Sequence, residues 1–452
     1  PPKSKSMIHN REQLAKTPSH AVALDCLTAG ITAADPARLT RDAVSVADTT
    51  LTVGEASYDL AGYDEVIALG GGKAAAVVAA ALEAVLGDHL DSGIVVTDSP
   101  RSTERVDVLA GTHPIPDERG VENTRRLLDT AAAADDSTLL VGVITGGGSA
   151  LMAAPAAGIS LADLRSTTDA LLNSGATIDE INAVRKHCSA IKGGRLAAAT
   201  RPADVCVLVV SDVVGNDLAT IASGPLVGDP TTYADARAVI DRYDLNVPAA
   251  VTDRLARGDA GEIDETPAPG GSVFEGVTTA IIGDGLTAVR AAADRAAAAG
   301  FNPLVLSSRI RGEAREAAKT QVAIAEGIAA TGDPLDPPAV VVSGGETTVT
   351  VDGEGVGGPN QEFALSAALE LAAGDDAAPE TVVAAVDTDG VDGPTDAAGA
   401  IVDGETVSVQ EGRHALADND ATTALRAADA VITTGPTGTN VNDLRVVVVP
   451  EP

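Results

Sequence analysis

Three glycine-rich stretches carry the residue types most suited to chemistry. Residues 66–77 read VIALGGGKAAAV, residues 141–152 read VGVITGGGSALM, and residues 340–349 read VVVSGGETTV. In each, an apolar run breaks into glycines. Where such a run opens a helix, unpaired backbone N–H groups and the helix dipole attract an anion, and glycine admits it close to the backbone. The predicted anion contacts are Gly71 and Gly72, then Gly146, Gly147, Gly148 and Ser149, and finally Gly344, Gly345 and Glu346, with Lys73 adding a positive charge. No common nucleotide fingerprint is completed. A Walker A loop fails because Ile67 stands where its first glycine belongs and Ala74 replaces the magnesium-holding Ser/Thr. The G-x-G-x-x-G pattern fails at Ala75 and at Leu151, and Leu151 also breaks a G-x-S-x-G elbow around Ser149.

A second cluster lies in TIDEINAVRKHCSAIKGGRLAAA, residues 177–199. Ile181, Val184, Cys188 and Ile191 make an apolar helical stripe, while Arg185, Ser189 and Lys192 share another face. A solvated basic face and an anion site both fit Arg185, Lys186, Lys192 and Arg195; His187 and Cys188 read as packing residues. Two acidic loops follow apolar runs: Asp212, Asn216, Asp217 and Ser223 in 211–232, and Asp387, Asp389, Asp392 and Asp396 in 387–400. Clustered carboxylates suit magnesium or a general base, although turns on an acidic surface look the same. The EF-hand pattern fails at Val391 and Asp392. Asn360, Gln361 and Glu362 in GGPNQEFAL, and Thr439, Asn440 and Asn442 in TGPTGTNVNDL, offer amides and hydroxyls for a nucleotide or polyol. His113, alone in GTHPIPD, suits a structural role or a ligand contact.

These residues must be positioned by an α/β framework. Val/Ile/Leu runs at 65–69, 93–97, 139–144, 205–210, 279–282, 303–306, 340–343, 381–386 and 445–449 predict strands buried on both faces. Helical patterns at 73–85, 122–133 and 286–299 separate some of them, and Ser160/Asp163 and Thr177/Glu180 have capping-box spacing. The alternation predicts an α/β fold with a parallel sheet. Two α/β units are expected, divided by the acidic, Pro/Gly-rich segment 256–273, with a second break at 330–338.

The chain has 452 residues with a formal net charge of −34. Such a surface repels nucleic acid and anionic membranes. No apolar run approaches the roughly 18 residues of a spanning helix, and no signal-peptide core follows the N-terminal basic residues. Cys26, Cys188 and Cys206 are odd in number and widely spaced, so a reducing cytoplasm is expected. Residues 1–6 read as an extension ahead of Met7. Abundant carboxylates, scarce lysine and an Ala/Val-rich interior resemble proteins of salt-accumulating halophiles, here an expected halophilic archaeon. With lysine only at seven positions, Lys73, Lys186 and Lys192 gain weight as chemical residues.

In order, GGGKA, GTHPIPDERG, TGGGSAL, INAVRKHCSAIKGGRLA, SDVVGNDLATIASGPLVGDPTT, SGGETTVTV, GGPNQEFAL, DTDGVDGPTDAAGA and TGPTGTNVNDL resemble the glycerate 2-kinase family with a C-terminal MOFRL domain. The resemblance implies a Rossmann-like parallel three-layer sandwich at 7–258. It also implies a mixed-sheet α/β region at 273–452 that includes MOFRL at about 338–446, with the active site in the cleft between the two. It implies ATP and Mg2+ as cofactors, D-glycerate as substrate, and transfer of a phosphoryl group to the 2-hydroxyl. Lys73 would meet the transferring phosphoryl or the carboxylate, Asp389 or Asp387 would orient or deprotonate the hydroxyl, and Asp212 would sit near the metal. Gly71, Gly72, Gly146, Gly147, Gly148, Ser149, Lys192, Arg195, Gly344, Gly345, Glu346, Asn360, Gln361, Thr439 and Asn440 would bind substrate or phosphate. Pro359 stands where many members of that family carry arginine, leaving Arg195 or Lys192 to compensate. Alternatives are an NAD(P)H-dependent hydroxypyruvate reductase, a kinase for another small hydroxy acid, and a non-catalytic ligand binder. A monomer or homodimer is expected.

Overall fold

The computed structural model describes residues 6–374 and 380–451, so most of the expected N-terminal extension (residues 1–5) lies outside the described residues. The chain divides into two compact units. One runs from Pro36 to Ile282; the other joins the N-terminal segment up to Asp35 with everything from Gly283 onward.

The Pro36–Ile282 unit is built on a six-stranded sheet. From one edge its order is Val106–Ala110, Ser92–Thr97, Glu65–Gly71, Thr138–Thr145, Asp204–Val210 and Val277–Gly283. The first five strands are mutually parallel. Numbered along the chain the order is 3-2-1-4-5-6, the doubly wound arrangement, whose switch point lies between strands Glu65–Gly71 and Thr138–Thr145. Thr138–Thr145 is buried at every position, which explains its unbroken apolar sequence. Both predicted capping boxes form, on helices Leu161–Leu172 and Ile178–His187. A small antiparallel sheet, Val44–Ala47, Thr50–Val53 and Ala56–Asp59, was not expected. Its strands are short and alternate with exposed positions, so they lack the long apolar run that marks the others.

The acidic segment 256–273 is not a linker. Glu265 within it accepts from His187 Nε2 at 2.7 Å and from the Tyr233 N–H at 3.0 Å, pinning the segment to its own unit. The change of unit comes later, after strand Val277–Gly283 has joined the first sheet.

The second unit carries a mixed sheet in the order Asn302–Glu313, Ala339–Thr348, Asp443–Val449, Val382–Asp387, Gly399–Val402 and Val431–Ile432. Only the first pair is parallel. Asp443–Val449 is antiparallel to both neighbours yet wholly buried, because helices cover both faces of the sheet. An apolar run therefore reports burial and not strand direction. The first domain was expected to start at residue 7, whereas the segment up to Asp35 packs with the second compact unit. Helix Pro18–Ala33 buries Leu24, Leu27 and Ile31 and packs on helix Gly285–Ala298. The two approach so closely that a Cβ at Gly30 would lie 2.8 Å from the Ala288 carbonyl oxygen. Asp25 adds ion pairs to Arg11 and Arg295.

Candidate active site

In the first unit the two triple-glycine turns meet at the switch point. The Lys73 N–H donates to the Gly146 carbonyl at 2.8 Å, and the Ala74 N–H donates to Thr145 Oγ1 at 3.2 Å. The glycines serve this approach. A Cβ at Gly72, where φ is 136°, would overlap Thr145, and one at Gly146 would overlap the Asp212 carboxylate. Side chains thus crowd a bare backbone. The Lys73 stem and the His113 ring both lie within 3.2 Å of where a Gly147 Cβ would stand. The Lys73 side chain has no hydrogen bond or ion pair among the described residues.

The electrostatics follow from this packing. Loss of hydration pushes the Asp212 carboxyl above its ordinary range, with the Lys73 charge opposing part of the rise. His113 is held below its ordinary value, first by burial and then by Lys73, against an opposing pull from Asp98. At neutral pH His113 is therefore neutral, and Lys73 supplies the positive charge.

Beside the second glycine turn, Ser149 Oγ lies 2.6 Å from Ser223 Oγ, which donates to Asn182 Oδ1 at 3.1 Å. Lys192 Nζ donates to the Ser149 carbonyl at 2.7 Å. Lys192 is 3% exposed, and burial, with a smaller push from Arg185, lowers its pKa to about 7. Two further cations of this stretch, Lys186 and Arg195, have internal partners. Lys186 pairs with Asp229 at 3.2 Å, and Arg195 donates to Tyr233 Oη at 3.2 Å. Arg195 is thus turned to a tyrosine hydroxyl that Arg254 also reaches, at 3.1 Å.

In the second unit the expected third glycine turn is instead part of a strand. Ala339–Thr348 runs straight through Gly344 and Gly345, and no helix opens there. A Cβ at Gly345 would overlap the backbone of Ile310 in the neighbouring strand. These glycines permit close strand packing, and Glu346 projects exposed from the same strand.

Asn360 and Gln361 are also engaged within the fold. They sit in the first turn of helix Pro359–Ala373, whose N–H groups at both positions donate to the Asp392 carboxylate, at 3.0 and 2.8 Å. Asn360 Nδ2 donates to Asp443 Oδ1 at 2.7 Å, and Gln361 Oε1 accepts from Thr422 at 2.6 Å. Glu362 pairs with Arg315 at 2.7 Å. Pro359 occupies the first helical position, where a missing N–H costs nothing. Thr439 is buried in a turn, with its N–H donating to Thr437 Oγ1 at 3.1 Å. Asn440 Oδ1 accepts from the Asn442 N–H at 3.2 Å.

Asp387 ends strand Val382–Asp387, directly opposite Asp443. Its carboxyl is raised well above the ordinary range by burial first and by the Asp389 charge second, with Asp443 and Asp392 adding to the rise. The Asp389 N–H donates to Asp387 Oδ1 at 3.0 Å, and Asp389 Oδ1 accepts from the Val391 N–H. Behind them Arg445, fully buried, pairs with Asp443 and stacks 4.8 Å from the Phe363 ring centroid. Asp443 and Arg445 escaped the sequence reading. Their signal was two opposite charges spaced i, i+2 on one face of an otherwise apolar strand.

Residues 22–256 match the family described as Domain of unknown function (DUF4147), and residues 339–443 match the MOFRL family. A glycerate 2-kinase of Pyrococcus horikoshii is 40% identical, over 93% of this chain and 94% of that protein. A D-glycerate 2-kinase of Thermotoga maritima is 39% identical, over 84% and 90%. A protein of Agrobacterium vitis named putative hydroxypyruvate reductase is 42% identical, over 85% and 99%. Among solved structures, a Pyrococcus horikoshii protein superposes with a TM-score of 0.84 at 39% identity, covering 95% of this chain and 98% of that one. A Thermotoga maritima glycerate kinase gives 0.83 at 36%, with the same coverage. With both domains matched and near full-length identity to two kinases, this chain belongs to the glycerate 2-kinase family that joins a DUF4147 domain to a MOFRL domain.

Proposed function

We propose that the chain is an ATP-dependent glycerate 2-kinase, moving the γ-phosphoryl group of ATP to the 2-hydroxyl of D-glycerate and giving 2-phosphoglycerate and ADP. The observation that carries this is the 40% identity to a glycerate 2-kinase across 93% of the chain. The geometry supports it. Phosphoryl transfer needs positioning and charge stabilisation more than covalent chemistry. The first unit offers Lys73, whose side chain has no hydrogen bond or ion pair among the described residues, beside a bare glycine backbone. Lys73 would hold phosphoryl oxygens as a point charge, and Gly71, Gly72 and Gly146–Ser149 would let them approach the main chain. The second unit offers Asp387, whose raised carboxyl makes it a stronger base than an ordinary carboxylate and suits it to take the proton of a hydroxyl. Asp389 would hold it in place through its N–H. Asn360, Gln361 and Arg195 take structural roles in this reading.

Magnesium fits the donor set in a limited way. Among the described residues no three His, Cys, Asp or Glu side chains gather as a ready cage. That suits an ion held by one carboxylate and by the nucleotide's own phosphates, with Asp212 as the carboxylate. When bound it would neutralise phosphate charge. The test is ADP release with ATP, magnesium and D-glycerate. The Agrobacterium vitis relatives' printed name keeps a reductase as the second reading. NADH oxidation with hydroxypyruvate, in protein that releases no ADP, would favour it. No helix among the described residues is long and apolar enough to cross a membrane.

A further inference from the structure

We propose that Arg185 and Lys192, in the first unit, form the subsite that takes the carboxylate of the acceptor hydroxy acid. The proposal rests on the kinase reading above and adds to it which residues select an acidic acceptor.

The chain holds 65 acidic and 31 basic side chains, so a buried cation has carboxylates within easy reach. Lys186, on the same helix as Arg185, is paired in this way with Asp229. Lys192, equally buried, is not. Among the described residues its ammonium hydrogen-bonds a neutral acceptor, the Ser149 carbonyl, and the charge that acts on it is a second cation, Arg185. Arg185 is half-buried and makes no hydrogen bond or ion pair with any described residue. Two desolvated cations without a counter-ion are unfavourable for folding alone. They become favourable once an anion lies between them.

The surroundings select the anion. The Lys192 ammonium has two donors left after Ser149, and Arg185 presents a fork that matches a carboxylate's two oxygens. Beside Lys192 stand Ser149, Ser223 and Asn182, a chain of hydroxyl and amide groups suited to a small hydroxylated acid. Two cations balance a single carboxylate with room to spare. They fall short of a nucleotide polyphosphate, which Lys73 and the glycine backbone are better placed to receive.

The test uses the full chain in molar KCl, with Arg185→Gln, Lys192→Met and wild type compared in four measurements. Steady-state kinetics should show the KM for D-glycerate raised at least tenfold in each variant, with the KM for ATP within twofold of wild type. Phosphorylation of D-glyceramide, which lacks the carboxylate charge, should lose far less, so that preference for the acid collapses. The Lys192→Met protein should melt no lower than wild type, because it removes a buried unpaired charge; a merely structural lysine would melt lower and leave the substrate preference intact. A raised KM for ATP with an unchanged KM for D-glycerate would overturn the assignment. Calorimetric titration with D-glycerate in the absence of nucleotide separates this from the kinase reading. If wild type turns nothing over but binds D-glycerate more tightly than both variants do, the subsite stands and the kinase reading fails. If binding is absent or equal in all three, the subsite is overturned.

Discussion

Lys73 owes its position to two glycine turns that close on each other, and its charge acts on both Asp212 and His113. Lys73→Ala should therefore lower kcat/KM for D-glycerate by about 10²–10³-fold, the usual effect of losing one transition-state donor, without lowering the melting temperature. Gly146→Ala should also remove activity, because its Cβ would displace the Asp212 carboxylate. Lys192, with a pKa of about 7, sets a pH dependence. The groups facing it are the Arg185 guanidinium and the Ser149 carbonyl. The acceptor-binding form is protonated, so the KM for D-glycerate should be flat below that pKa and rise by up to about tenfold per pH unit above it. A pH series of initial rates checks this. These lysines were legible in the sequence because an acidic chain with so few of them makes each conspicuous. Arg195 was equally conspicuous, yet it ends on Tyr233, since spacing along a helix gives a face and not a partner. Asp443 and Arg445 were missed because they pair inside the sheet, where the apolar run around them reads as core.

At the scale of elements, the acidic loop 387–397 and helix Pro359–Ala373 form one device. Asp392 receives both backbone donors and both side-chain amides of Asn360 and Gln361, so the loop caps a helix to which it is not adjacent in sequence. Asp392→Ala should strand those buried donors and cost about 2–4 kcal/mol, lowering the melting temperature by several degrees. Activity should fall with it, since the same loop carries Asp387 and Asp389; thermal melts and rates on one preparation check both. Long, two-face-buried strands such as Thr138–Thr145 were readable because burial leaves a continuous apolar record. The break at Gly344–Gly345 misled, because glycine serves close strand packing as readily as it ends a strand. The capping boxes at Ser160 and Thr177 were legible because both halves of the motif are local. The cap at Asp392 spans more than thirty residues and left no local trace.

The whole molecule carries a net charge of −34. Self-repulsion of that size loosens a compact state in dilute buffer, and molar salt shortens its reach to about 3 Å. The melting temperature should accordingly rise steeply between dilute buffer and molar KCl, and a salt-independent value would contradict this. The division into units also belongs to this scale. The N-terminal helix Pro18–Ala33 packs with the C-terminal half, a pairing of distant segments that no local pattern announces. Both family matches are present in one chain, and its glycerate 2-kinase reaction is the central claim. It is tested most directly by incubating the protein in molar KCl with ATP, magnesium and D-glycerate and reading the product by phosphorus NMR, beside Lys73→Ala. The account predicts 2-phosphoglycerate with equimolar ADP, lost in the variant. Folded wild-type protein that releases no ADP, or that places the phosphate on the 3-hydroxyl, would contradict it.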